Sequence, residues 1–90
     1  MKTALVTGAS RGIGAACARE LARAGWAVAV NYRSSREKAE AVAAQIRQEG
    51  GVALAIPGDI GDPEQVETLF HTAETELGSV EVLVNNAGIA

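Results

Sequence analysis

Apolar positions follow two spacings along the chain, and the alternation between them predicts seven elements. Residues Thr3 to Thr7 form a short apolar, β-branched run interrupted by Gly8, the pattern of a strand buried on both faces. Ile13, Ala16, Cys17, Leu21 and Ala24 then recur at helical spacing, and Gly25 stands where a C-terminal cap belongs. A second strand is expected over Ala27 to Asn31. Ser34 with Glu37 three residues later has the form of a capping box. The helix it opens places Ala39, Val42, Ala43 and Ile46 on one face and stops at Gly50 and Gly51. A third strand follows from Val52 to Ile56. Asp62 suits an N-cap, with Pro63 at the favoured first helical position. Val66, Leu69, Phe70, Ala73 and Leu77 make the buried stripe of that third helix, Gly78 ends it, and Val82 to Asn85 form a fourth strand.

The order β-α-β-α-β-α-β with short loops requires parallel strands, because helical crossovers return the chain to the same end of the sheet. The expected fold class is therefore α/β, one half of a doubly wound parallel sheet with strand order 3-2-1-4. The whole chain, residues 1–90, reads as a single unit of that kind. Its fourth strand is left uncovered on one side, an exposed parallel edge of the sort finished domains avoid.

Composition narrows the function classes. The 90 residues are 48% hydrophobic and 21% charged, the balance of an ordinary globular domain. Aromatic residues make up only 3%, so the core has to be built from Val, Ile, Leu and Ala. The net charge of −3, with Lys and Arg scattered, lacks the basic stripe of a nucleic-acid binder. No apolar stretch approaches a membrane span, and the N-terminal apolar run is too short for a secretory signal. The lone cysteine, Cys17, excludes an internal disulfide and fits a reducing, cytoplasmic setting. It reads as a small residue on the inward face of the first helix, and His71 as a surface residue.

The densest chemistry lies between the first strand and the first helix, in Thr7-Gly8-Ala9-Ser10-Arg11-Gly12-Ile13-Gly14. Glycines there let the chain turn sharply and clear side chains from the space a phosphate needs. Unpaired N–H groups and the helix dipole then favour an anion in that gap. Glycines kept only for a tight turn are the alternative reading. The spacing is not G-x-G-x-x-G, since counting from Gly12 puts Cys17 at the third glycine position.

Read as Thr-Gly-x-x-x-Gly-x-Gly, the turn resembles the fingerprint of the short-chain dehydrogenase/reductase family. Two further motifs, Asp59-Ile60 and Asn85-Asn86-Ala87-Gly88, fall in that family's order and spacing, and the resemblance covers the whole chain. Around Asn31-Tyr32-Arg33-Ser34-Ser35 it is most similar to the bacterial 3-oxoacyl-(acyl-carrier-protein) reductase branch. The resemblance implies the N-terminal, dinucleotide-binding half of a Rossmann domain. It implies that Gly8, Ser10, Arg11, Gly12, Ile13 and Gly14 surround the pyrophosphate and adenosine ribose. It further implies that Asp59 accepts from the adenine amino group and that the Ile60 backbone meets the ring. Asn86, Ala87 and Gly88 would line the cofactor near its ribose, and Asn85 would tie the central strands together. Asp59 before Gly61-Asp62-Pro63 also reads as a plain turn residue.

Cofactor choice is read from the end of the second strand. NAD sites place an acid there to hold the ribose 2′-hydroxyl. Here Asn31-Tyr32-Arg33-Ser34-Ser35-Arg36 carries no acid before Glu37. Arg33 can pair with a 2′-phosphate, Ser34 or Ser35 can donate to it, and Arg11 can add charge from the other side. Tyr32 would flank the adenosine. NADP is the expected cofactor, although Arg33 and Arg36 also read as solvated charges at a helix start.

The family's chemistry, by resemblance, uses a Ser and a Tyr-x-x-x-Lys pair on a later helix. Tyr32 is followed at that spacing by Arg36, but it ends a strand and Arg cannot replace Lys in the proton relay. No catalytic residue is expected within these 90 residues, and the chain is expected to be cut before its catalytic half. The resemblance implies hydride transfer to a small-molecule carbonyl substrate and a homotetrameric parent, with neither nucleic acid nor membrane as partner. The alternatives are a non-catalytic dinucleotide-binding module and a domain whose glycines serve packing alone.

Overall fold

The computed structural model describes residues 2–86. The elements run β1 (Thr3–Val6), α1 (Gly12–Arg23), β2 (Ala27–Tyr32), α2 (Arg36–Gln48), β3 (Val52–Pro57), α3 (Pro63–Glu76) and β4 (Val80–Val84). The strands form one sheet in the order β3-β2-β1-β4, and all its pairs are parallel, as the alternation of strand and helix requires. Thr3 pairs with Ala27 and Val6 with Val30, while the β1–β4 ladder shifts by one residue between Thr3 and Ala4.

Period-two alternation along the strands sends side chains to opposite faces, and each face has its own core. Val6, Val28, Val30 and Ala53 pack with Ala15 and Ala18 of α1 and with Ala39, Val42, Ala43 and Ile46 of α2. Leu5, Ala29 and Ile56 pack with Leu69 and Ala73 of α3 on the other side. The two central strands are fully buried, which accounts for their unbroken apolar character. Burial of each large aliphatic side chain contributes about 1.5–3 kcal/mol, so β1 and β2 carry much of the fold's stability.

The element order agrees with the sequence pattern, and several details differ. β1 stops at Val6 and β4 runs Val80–Val84, because Thr7 and Asn85 turn into side-chain bonds with one another. β2 and β3 each run one residue further than expected, through Tyr32 and Pro57. Pro57 tolerates that position because β3 is an edge strand.

The buried face of α1 is Gly14, Ala15 and Ala18, not Ile13, Ala16 and Ala24. Ile13 is 68% exposed, Ala16 and Ala24 are also exposed, and Cys17 is only half-buried. The helix is rotated about one residue from the face its apolar periodicity suggests. Contacts of Gly14, described below, set that rotation.

The expected capping box of α2 is not formed. Ser35, not Ser34, is the N-cap, and no side chain caps that end. With the helix starting at Arg36, Glu37 falls one residue short of the spacing a box needs. Asp62 does cap α3, its Oδ1 accepting from the Glu64 N–H at 3.0 Å, with Pro63 at the first turn. Val66, Phe70 and Leu77 of the α3 stripe are half-buried, because β4 above them is itself only partly covered. Leu83 on that edge strand is 54% exposed.

Candidate functional site

β1 ends in the glycine turn. Gly8 and Gly12 adopt φ of 59° and 63°, left-handed values that cost a residue with a Cβ about 1–2 kcal/mol. Gly14 has a different constraint. A Cβ there would lie 2.6 Å from the Gly8 carbonyl and 2.6 Å from Asn86 Nδ2. The helix thus presses its backbone against the turn. Arg11 is the N-cap of α1 and gives no side-chain cap, so the first turn of the helix lacks a side-chain acceptor for its N–H groups.

Thr7 and Asn86 lock this turn to β4. The Thr7 hydroxyl lies 3.3 Å from both the Val84 carbonyl and Asn85 Oδ1, and it accepts the Asn86 N–H at 3.0 Å. Asn86 Nδ2 donates to the Gly8 carbonyl at 3.0 Å. The glycine turn and the Asn85-Asn86 segment therefore meet where β1 and β4 adjoin. That is the point at which strand order reverses and ligands bind in open α/β sheets. The bond from Thr7 to Asn85 joins the end of β1 to the end of β4. Ala87 and Gly88 lie outside the described residues.

A third tie comes from Asn31, a residue the sequence reading passed over as one more position of the second strand. It is 2% exposed. Its Oδ1 accepts the Gly8 N–H at 3.4 Å, and its Nδ2 donates to the Ile56 and Gly58 carbonyls at 3.3 and 3.1 Å. The signal was present, since one amide inside an otherwise apolar strand has to find partners.

These ties frame two adjoining recesses. A cleft of about 320 Å³ is lined by Gly8, Ser10, Arg11, Tyr32, Arg33, Ser34, Ser35 and Asn86. A smaller one of about 110 Å³ is lined by Gly8, Asn31, Arg33, Gly58, Asp59 and Ile60. Arg33 borders both, is 78% exposed, and has its Nε 3.6 Å from Asp59 Oδ2. Asp59 is also a turn residue, its Oδ1 accepting the Gly61 N–H at 2.9 Å. The turn reading of Asp59 is met by that bond, and the residue also lines the smaller recess.

Of the expected site residues, Gly8, Ser10, Arg11, Tyr32, Arg33, Ser34, Asp59, Ile60 and Asn86 line the two recesses, whereas Gly12 and Gly14 shape the turn behind them without lining either. Ile13 lines neither recess and points to solvent. Tyr32 is 8% exposed and packs in the α1–α2 core, so only its edge borders the cleft. Among the described residues no three His, Cys, Asp or Glu side chains cluster as metal ligands, and no helix is long and apolar enough to cross a membrane.

Known proteins share both the sequence and the fold. The profile of the short chain dehydrogenases matches residues 2–90. A 3-oxoacyl-(acyl-carrier-protein) reductase, FabG, of Staphylococcus aureus is 50% identical over 88 residues, 98% of this chain and 36% of its own length. Versicolorin reductase of Emericella nidulans is 48% identical over 88 residues, 98% of this chain and 33% of its own. The crystal structure of a dehydrogenase/reductase from Sinorhizobium meliloti superposes with a TM-score of 0.92 at 49% identity, covering 96% of this chain and 34% of the other. A hydroxysteroid dehydrogenase from Escherichia coli gives 0.90 at 40% identity, covering 97% and 37%. The chain spans about a third of the length of these relatives. With the glycine turn, the Asn85-Asn86 clamp and the 3-2-1-4 sheet all in place, this chain belongs to the short-chain dehydrogenase family.

Proposed function

We propose that the chain is the NADP(H)-holding part of a short-chain oxidoreductase that transfers hydride between the dinucleotide and a carbonyl compound or secondary alcohol. Its likeness to FabG favours a 3-oxoacyl thioester as the substrate class. The observation that carries the proposal is the closed glycine cradle. Gly14 has no room for a side chain, α1 starts without a side-chain cap, and the cleft beside it is lined by two arginines, three serines and no carboxylate. Such a lining suits a pyrophosphate and a 2′-phosphate and disfavours the carboxylate-held ribose of NAD.

In this reading Gly8, Ser10, Arg11, Gly12, Ile13 and Gly14 form the pyrophosphate side. Arg33 and Ser34 take the adenosine 2′-phosphate, Tyr32 flanks the adenosine, Asp59 and Ile60 take the adenine, and Asn86, Ala87 and Gly88 the ribose beyond. The bound dinucleotide supplies the hydride. The residues of this chain bind and orient it: Arg33 neutralises phosphate charge, and the Asn86–Gly8 bond holds the turn in its binding shape. No Tyr in the 90 residues is followed four positions on by Lys, so proton donation to the substrate oxygen is assigned to residues outside them. A cytoplasmic location, supported by the single cysteine, and a homotetrameric parent belong to the same proposal.

Titration calorimetry of the intact protein with NADP+ and NAD+ tests it. The expected result is at least about tenfold tighter NADP+ binding, equivalent to about 1.4 kcal/mol, reversed or abolished in Arg33→Asp. Absence of binding to either dinucleotide overturns the cofactor reading. Equal affinities overturn NADP alone. A second reading is a dinucleotide-binding module without chemistry. NADPH-dependent reduction of a 3-oxoacyl thioester by the intact protein would exclude it.

A further inference from the structure

We infer that Asn31 is a positioning residue that holds the loop from Gly58 to Ile60 in register with the glycine turn, so that the two recesses act as one site. The inference rests on the dinucleotide reading above. Asn31 lies in β2, between β1 and β3, and is 2% exposed. An apolar side chain there would avoid the cost of burying an amide, so the amide has to be offset by the bonds it makes.

Those bonds link both sides of the site. Oδ1 accepts from Gly8 N–H at 3.4 Å, while the Asn31 backbone carbonyl accepts from Ala9 N–H at 2.9 Å. Nδ2 donates to the Ile56 and Gly58 carbonyls at 3.3 and 3.1 Å. The orientation of the amide is fixed by this set. A flipped amide would face its NH2 to the Gly8 N–H and its oxygen to two carbonyls.

The loop beyond Gly58 has local ties of its own. Asp59 N–H donates to Gln65 Oε1 at 2.8 Å, and Gly61 N–H to Asp59 Oδ1 at 2.9 Å. These bonds shape the loop but do not connect it to the glycine turn. Asn31 is the side chain that bonds to both, and it acts through the backbones of Gly8 and Gly58.

The variant Asn31→Asp isolates the donor. It keeps nearly the same shape and an acceptor for Gly8 N–H, but turns a carboxylate oxygen toward the Ile56 and Gly58 carbonyls. Burial beside those oxygens raises the pKa of the new carboxyl, and its protonation restores one donor. Adenosine is the probe, because it is neutral and carries no phosphate for a carboxylate to repel. Its affinity is expected to fall about tenfold relative to the unmodified protein near pH 8. The gap is expected to close to about twofold near pH 5, once the carboxyl is protonated. The charged groups lining the same recess are Arg33 and Asp59. Both are present in both proteins, so the ratio of affinities cancels their titration.

No gap near pH 8, or a gap independent of pH, overturns the inference while leaving the dinucleotide reading intact. An unmodified protein that takes up neither adenosine nor NADP+ overturns that reading itself, and the inference with it. Should circular dichroism show Asn31→Asp unfolded, the test passes to the unmodified protein. Its Asn31 side-chain amide protons are expected to exchange slowly with solvent and to slow further on adding NADP+. Exchange at the free-amide rate, or rates that NADP+ leaves unchanged, overturns the inference.

Discussion

The side-chain amide of Asn86 donates to the carbonyl of Gly8 at 3.0 Å, and the α carbon of Gly14 sits so close to both groups that a Cβ would lie 2.6 Å from each. Turn, helix and the segment after β4 are therefore fitted to one another with no space for a methyl group.

Gly14→Ala is expected to destabilise the protein by about 1–3 kcal/mol through overpacking. Gly12→Ala meets no atom within 4 Å, so its cost comes from the positive φ alone, about 1 kcal/mol. Urea unfolding of both variants checks the order. A Gly12 variant less stable than the Gly14 variant would contradict the steric account.

Asn86→Leu leaves the Gly8 carbonyl without its side-chain donor. A loss of about 1–2 kcal/mol in stability is expected, together with a measurable drop in NADP+ affinity, since the turn is no longer held. Asn85→Leu loses a part-buried contact with the Thr7 hydroxyl, which keeps the Val84 carbonyl and the Asn86 N–H as partners, and should cost less. Calorimetric melting and cofactor titration of the pair decide it.

Arg33 is paired with Asp59 at 3.6 Å in an exposed setting, where an ion pair contributes about 1 kcal/mol or less. Its release to a phosphate is therefore easy. NADP+ binding is expected to weaken more steeply than NAD+ binding between low salt and about 0.5 M salt, because screening acts on the extra phosphate contact. Parallel salt dependences for the two dinucleotides would count against Arg33 as the phosphate partner.

Two paired positions on the α3 face of the sheet, one in a central strand and one in the edge strand, differ in what they tolerate. Leu5 is fully buried and Leu83 is 54% exposed. Leu5→Ala should cost about 2–5 kcal/mol. Leu83→Lys should stay within about 0.5 kcal/mol. Chemical unfolding of the two variants measures the difference.

The order of elements, the parallel sheet and the strand order 3-2-1-4 were legible in the chain because each rests on a local pattern or a chain-connectivity rule. Four apolar runs alternate with three helical stripes, Asp62-Pro63 marks one helix start, and helical crossovers leave few ways to arrange the strands. The glycine turn was legible for the same reason. Gly8, Gly12 and Gly14 stand at fixed spacing between a strand and a helix, and backbone conformation depends on near neighbours.

Other features depend on residues distant in sequence. The rotation of α1 that buries Gly14, Ala15 and Ala18 follows from the contact of Gly14 with Gly8 and Asn86, the latter 72 positions away in the chain. The helix's own apolar periodicity, with Ile13 and Ala16 as candidate core, carries no trace of it. The capping box failed because α2 starts at Arg36 with Ser35 as its N-cap, one residue later than Ser34 would have it. Asn31 joins Gly8 to Gly58 across three strands, and a hydrogen bond of that kind leaves no periodic mark on the sequence. Local propensity and hydrophobic spacing thus determined which elements form and in what order. Long-range sterics and the need to pair buried polar groups decided how those elements rotate and lock into a site.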